Sequence, residues 1–117
     1  ILKSEPIRFR IIGSGHLAPM VEKKIKELEL SNVEWIKQRL SWEELITKMQ
    51  ECHLSIGQNS INKRQKVQIA FKTVENMALK LPQVIASNSL AILEVLTDKI
   101  TCIVIRYADA QDLAEKI

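Results

Sequence analysis

The sequence predicts an α/β domain, a mostly parallel sheet with helices on both faces, and three observations lead there. Short runs rich in Ile and Val alternate with stretches whose apolar residues recur at helical spacing. Polar segments, or segments bearing glycine or proline, separate them. With 46% apolar and 26% charged residues among 117, the composition is that of one ordinary globular domain, taken as residues 1–117. Strands that alternate with helices are joined by right-handed crossovers, so neighbouring strands run parallel and both sheet faces are covered.

The elements follow in order. Residues 7–12 form a strand rich in β-branched side chains, stopped by Gly13-Ser14-Gly15. Leu17, Met20, Val21, Ile25 and Leu28 then recur with helical period among lysines and glutamates. A short strand is expected over 32–36. Ser41-Trp42-Glu43-Glu44 is a capping box: the serine accepts from an orphan N–H while Glu44 reaches back. It opens a helix striped by Leu45, Ile46 and Met49. Residues 52–57 make the third strand, with His53 expected as a hydrogen-bonded core histidine. A polar loop over 58–68 precedes a helix that carries Phe71, Val74, Met77, Ala78 and Leu81 on one face. Pro82 ends that helix, and a strand (84–87), a short helix (91–96), a strand (100–105) and a closing helix (110–117) complete the chain.

Composition excludes several classes. The formal charge is +3, and the basic residues are interleaved with acidic ones, which gives no concentrated basic face for nucleic acid. At 4% aromatic residues there is no stacking platform for a single strand either. Cys52 and Cys102 stand alone inside apolar runs, as small buried hydrophobes, and a zinc site is excluded. A reduced, cytoplasmic setting fits this usage. No apolar run approaches the ~20 residues of a membrane span, and no signal peptide is present. The chain opens at Ile1-Leu2-Lys3 without methionine and is read as a fragment of a longer protein.

Parallel sheets bind ligands beyond the carboxyl ends of their strands, which directs attention to loops 13–16, 37–41, 57–70 and 87–90. Gly13-Ser14-Gly15 permits a tight turn and close backbone approach before a helix N-terminus. The string from Gly13 to Ala18 also satisfies a dinucleotide fingerprint, but the acidic residue expected ~20 positions on, Glu34, sits early in its strand. His16 opens the helix and either touches a ligand or packs the turn. Lys63, Arg64 and Lys66 form a basic cluster where a diphosphate would lie, guanidinium gripping through paired hydrogen bonds and ammonium as a point charge. Asp98, Asp109 and Asp112 are too dispersed for a metal site. Glu75 lies on the polar side of a helix that follows a ligand-facing loop, where a carboxylate can accept from both hydroxyls of a ribose.

The order of these motifs resembles one family. Strand 8–12 with Gly13-Ser14-Gly15 resembles the strand-then-GxG element of the retaining GT-B glycosyltransferases of group 1. Val33-Glu34-Trp35-Ile36 and the capped helix at Ser41 are similar to its next strand and helix. Residues 72–78, through Pro82 to Ala86-Ser87, resemble its signature helix and strand, and Leu93-Glu94-Val95-Leu96 and residues 109–114 its following helices. The resemblance implies a Rossmann-like C-terminal half of a GT-B enzyme, binding a nucleotide-diphosphate sugar donor. Glu75 would take the ribose, and Ile36 and Lys37 would flank the base. Backbone N–H groups at Ala70 and Phe71, with Lys72, would face the diphosphate, and the Gly13–Gly15 turn would also approach the donor. A glycan or glycolipid acceptor would be held by a separate N-terminal domain, with peripheral membrane association of the whole enzyme. No metal and no further cofactor is implied.

The chain departs from the family pattern at defined places. The partner glutamate eight residues before Glu75 is replaced by Val67, which cannot hydrogen-bond a sugar. The Gly-Phe-Gly that usually follows that first glutamate appears as Gln68-Ile69-Ala70. Lys80 stands where a glycine is expected and Ile92 where a proline is. No segment before Ile7 supplies the usual first strand with its Arg–Lys pair. The reading that results is a glycosyltransferase donor-binding domain of polysaccharide or glycolipid synthesis, inactive on its own. The alternatives are a diverged, non-catalytic binding module and a dinucleotide-cofactor domain.

Overall fold

A computed structural model describes residues 1–57 and 66–117 of the chain. It divides into two compact units, Ile1–Leu45 and Ile46–Ile117. The α/β character with parallel strands is as expected from sequence. The strands are distributed over two sheets, of order β1-β2 and β3-β4-β5.

In the first unit, β1 (Phe9–Ile12) and β2 (Val33–Ile36) flank α1 (Ala18–Glu27). The strands pair in parallel from Phe9↔Val33 to Ile12↔Ile36. Main-chain bonds Phe9 N–H to Asn32 O (2.8 Å) and Gly13 N–H to Ile36 O (2.9 Å) extend the ladder at both ends. The Asn32 amide also donates to Leu2 O and Ile7 O, tying down the segment before β1. Proline in the first turn of α1 suits a position whose N–H has no intrahelical acceptor. The apolar stripe of α1 is only half used: Val21 and Ile25 are half-buried, while Leu17, Met20 and Leu28 are exposed. At its end Leu30 N–H reaches Ile25 O and Glu29 N–H reaches Lys26 O, a Schellman motif with Glu29 at φ 49. The capping box forms as expected: Ser41 N–H donates to Glu44 Oε2 at 2.7 Å, and Glu44 N–H to Ser41 Oγ at 3.2 Å. This pair, contributing about 1 kcal/mol, starts α2 (Trp42–Gln50).

In the second unit, β3 (Ser55–Ile56), β4 (Gln83–Ala86) and β5 (Ile103–Ile105) are all parallel, with β4 central. Every residue of β4 is buried. The core gathers Ile85, Ile92, Leu96 and Cys102, with Leu93 and Val104 packed against them. Burial, and then the nearby Asp98 charge, push the Cys102 thiol pKa up, which keeps it protonated. Cys52 is half-buried, its thiol donating to Lys48 O. Only two of the six residues read as the third strand pair as one. His53 lies before that strand and is exposed, which corrects its reading as a core histidine.

The helix expected after the polar loop is α3 (Phe71–Ala78). Its apolar residues Phe71, Val74 and Met77 are 73%, 49% and 44% exposed, whereas Thr73 and Asn76 are fully buried. The polar side of the helix faces inward because polar groups meet it there. Asn76 Nδ2 donates to Ser55 Oγ at 3.0 Å and to Gln83 Oε1 at 3.3 Å, and Gln83 Nε2 donates to Thr73 O at 3.3 Å. Buried amides are tolerated when they find such partners, although Asn76 Oδ1 and Thr73 Oγ1 are buried without one among the described residues.

The C-terminus of α3 is a second Schellman motif. Leu81 N–H bonds Asn76 O at 2.9 Å and Lys80 N–H bonds Met77 O at 3.0 Å, and Lys80 takes φ 54. That left-handed conformation explains why a glycine is expected at this position and why lysine is strained there. Lys80→Gly is expected to stabilise the protein by about 1 kcal/mol, read as a higher urea midpoint with unchanged slope.

α4 (Leu90–Leu93) precedes β5, and α5 (Ala110–Lys116) closes the chain. Asp109 caps α5 by accepting from Asp112 N–H at 2.9 Å. Asp112 is itself buried. The Arg106 N–H bonded to its Oδ2, then the Lys116 ammonium at 3.1 Å and the Arg106 guanidinium, hold its pKa below the usual aspartate range. A carboxylate depressed on folding adds stability above its unfolded pKa of about 4, and that stability disappears as pH falls through the lower folded value. Asp112→Asn is therefore expected to lower the melting temperature at neutral pH. It should also flatten the loss of stability that the native protein shows on acidification below about pH 4.

Candidate functional site

In the first unit the site residues cluster at the carboxyl ends of β1 and β2. Gly13 has φ +113, a conformation that L side chains rarely adopt, so the turn requires glycine. The Trp35 indole N–H donates to Gly13 O at 2.8 Å and pins the turn from the adjacent strand. Gly15 is exposed, its carbonyl accepting from Ala18 N–H at the entry to α1. His16 is exposed and Ile36 half-buried. Lys37 lies over the Trp35 ring, 4.7 Å from its centroid, and pairs with Glu22 at 3.2 Å. The Lys37 hydrogen bond and charge, with Lys26, hold the Glu22 carboxyl below its usual range.

A hollow of about 380 Å³ opens beyond these strand ends, lined by Ile12, Gly13, Gln38, Arg39, Trp42 and Leu45 among others. Sequence reasoning pointed to loop 37–41 but did not single out Arg39 or Trp42. The available signal was their place directly after a strand, together with a tryptophan just inside a capping box. Glu34 pairs with Arg10 at 2.9 Å across the ladder. Its carboxylate is thus engaged beside β1, away from the strand tip where a dinucleotide ribose would need it.

In the second unit, Ala70, Phe71, Lys72 and Glu75 occupy the entry and first two turns of α3. Ala70 is the N-cap, in extended conformation and without a side-chain cap. Because β3, α3 and β4 form a parallel crossover, this N-terminus lies at the carboxyl edge of the sheet, where its first N–H groups and the helix dipole favour an anion. Lys72 counts among the exposed residues, yet surrounding protein desolvates its ammonium and lowers its pKa. Glu75 is half-buried, and no hydrogen bond or ion pair engages its carboxylate among the described residues. Lys66 is exposed and Val67 is 81% exposed. Lys63 and Arg64 lie outside the described residues. The loop after β4 adds a residue that sequence reasoning passed over: Asn88 Oδ1 is buried with no partner among the described residues. Beside it, Ser87 Oγ accepts from Tyr107 N–H.

No three His, Cys, Asp or Glu side chains come together among the described residues. None of the described helices is long and apolar enough to cross a membrane.

Parallel strands joined through helices, in both units, define an α/β protein. A protein-family model described as Glycosyl transferases group 1 matches residues 1–117, and the chain belongs to that family. The chemistry of that family is glycosyl transfer, which in general moves a sugar from a nucleotide-sugar donor to a glycan acceptor and releases the nucleotide. No curated protein and no solved structure matches the chain.

Proposed function

We propose that this chain is the donor-binding domain of a glycosyltransferase that takes its sugar from a nucleotide-diphosphate sugar. The observation that carries the reading is Glu75: a half-buried carboxylate without a partner among the described residues, near the N-terminus of α3, in a chain matched to the family over its whole length. A carboxylate that still reaches solvent can accept from both ribose hydroxyls. The diphosphate would lie at the start of α3, against the N–H groups of Phe71 and Lys72 and the Lys72 ammonium, with Lys63, Arg64 and Lys66 as further cations. Transfer breaks the bond between the sugar and the diphosphate, so fixed cations and helix N–H groups that meet the departing charge lower the barrier. The acceptor, a glycan or lipid-linked sugar, would be presented by a further domain. We place the enzyme in the cytoplasm, at the membrane surface where lipid-linked acceptors are found.

Calorimetric titration of the complete protein with UDP, GDP and ADP tests this and identifies the base. One nucleotide should bind, and Glu75→Ala should weaken it by about 1–3 kcal/mol, the scale of a hydrogen bond to a charged group. A folded protein that binds none of the three excludes the donor site, and an unchanged affinity in Glu75→Ala removes that residue from it.

Val67 favours a second reading. An exposed valine where a sugar-binding carboxylate is expected suits a diverged module that holds a nucleotide or glycan without transferring sugar. Nucleotide binding without turnover by the complete protein would select it.

A further inference from the structure

We infer that Gln83 and Asn76 are positioning residues, which set the rotation of α3 and thereby aim Glu75 at its ligand. The inference rests on the donor-site reading of Glu75.

Apolar burial does not seat this helix. Phe71, Val74 and Met77 face outward, and an eight-residue helix is too short to be stable by itself. Its N-cap contributes no side-chain bond. The helix is held by directional contacts on either side of Glu75 in sequence. Before it, the Thr73 carbonyl accepts from Gln83 Nε2; after it, the Asn76 amide donates to Ser55 Oγ and Gln83 Oε1. Thr73, Asn76 and Gln83 are each at most 1% exposed, so water cannot substitute for these bonds at low cost.

The geometry fixes rotation rather than mere proximity. Leucine and isoleucine contacts tolerate a helix turning several degrees, whereas an amide satisfied at both its donor and its acceptor does not. Gln83 is such an amide, and it sits at the start of the central strand. Glu75 has no protein partner among the described residues that would orient it independently. Its direction is inherited from α3.

The test is a nucleotide titration of the complete protein with UDP, GDP and ADP in two backgrounds. With Glu75 present, Gln83→Leu should weaken the nucleotide that binds by about 10-fold, the size of coupling found between residues in one network. With Glu75→Ala, the same substitution should change affinity by less than about 2-fold, because no carboxylate remains to be aimed. Asn76→Ala keeps the Gln83–Thr73 bond and serves if Gln83→Leu fails to fold; it should show a smaller loss with the same dependence on Glu75. A role in stability alone predicts a lower melting temperature and an unchanged affinity well below it, and that result overturns the inference. Equal losses in both backgrounds overturn it as well. If Glu75→Ala weakens binding and Gln83→Leu does not, only the positioning role falls. If the native protein binds none of the three nucleotides, the donor reading falls and the positioning role goes with it.

Discussion

Gly57→Val is expected to destabilise the protein by about 3 kcal/mol, a large part of what holds so small a unit together. Gly57 directly follows β3 and is buried beside the central strand, its N–H bonded to Val84 O. A Cβ there would lie 2.6 Å from Ile85 Cδ1 and 2.9 Å from Val84 O. The carbonyl cannot yield, because it accepts the Gly57 N–H that carries the ladder on from β3. The Ile85 methyl has nowhere to go, since Ile85 is fully buried in the core. Valine adds two methyl groups to a Cβ that already collides, so strand β3 has to separate from β4. Urea denaturation should show a much lower midpoint. Retention of the native midpoint would mean that β3 is not held against β4 in solution. Gly57→Ala should be milder, and combining it with Ile85→Val, which removes the colliding Cδ1, should recover part of the loss. That non-additivity identifies the contact itself as the cause.

Ile85→Ala is expected to cost about 2–5 kcal/mol, the lost transfer free energy of the removed carbons plus the cavity left behind. Ile85 shows no exposure and packs with Ile92, Leu96 and Cys102. Its strand is paired on both sides, by β3 and β5, so the backbone cannot collapse into the space. Loss of cooperative unfolding, or a fall in midpoint within this range, is the expected result. A cost below about 1 kcal/mol would show that the site relaxes freely, which contradicts its place on the central strand.

How much of this was readable beforehand depends on how far apart the deciding residues lie in sequence. The capping box at Ser41 and Glu44 was legible in full, because its two partners stand three residues apart and both hydrogen bonds close within one turn. The strand-to-glycine turn at Gly13 was legible for the same reason: a positive φ is a local demand. Lys80 could be marked as the place for a glycine, and the φ of 54 shows why. The orientation of α3 was not legible. Its spacing puts Phe71, Val74 and Met77 on one face, and periodicity alone assigns that face to the core. The burial of the other face is decided by Gln83 and Ser55, which lie outside the helix and offer its polar side a set of partners. His53 was misplaced in a similar way, since an apolar run suggested a strand longer than the two residues that pair.

The candidate site divides along the same line. Glu75, Lys72 and the glycine turn were identified from residue type and motif order. The hollow bordered by Arg39 and Trp42 and the buried Asn88 oxygen, unpartnered among the described residues, were not. A hollow is a property of several segments at once, and a buried oxygen stays unpaired only with respect to everything folded around it. The sequence by itself determined the α/β class, the parallel crossovers, the capping box at Ser41 and the family, since each is written in spacings of a few residues or in the order of motifs. Tertiary structure alone decided which face of α3 is buried, how tightly Gly57 is closed in and where the hollow lies. Those outcomes turn on contacts such as Ser55 with Asn76, 21 positions apart, and no local pattern encodes a partner at that distance.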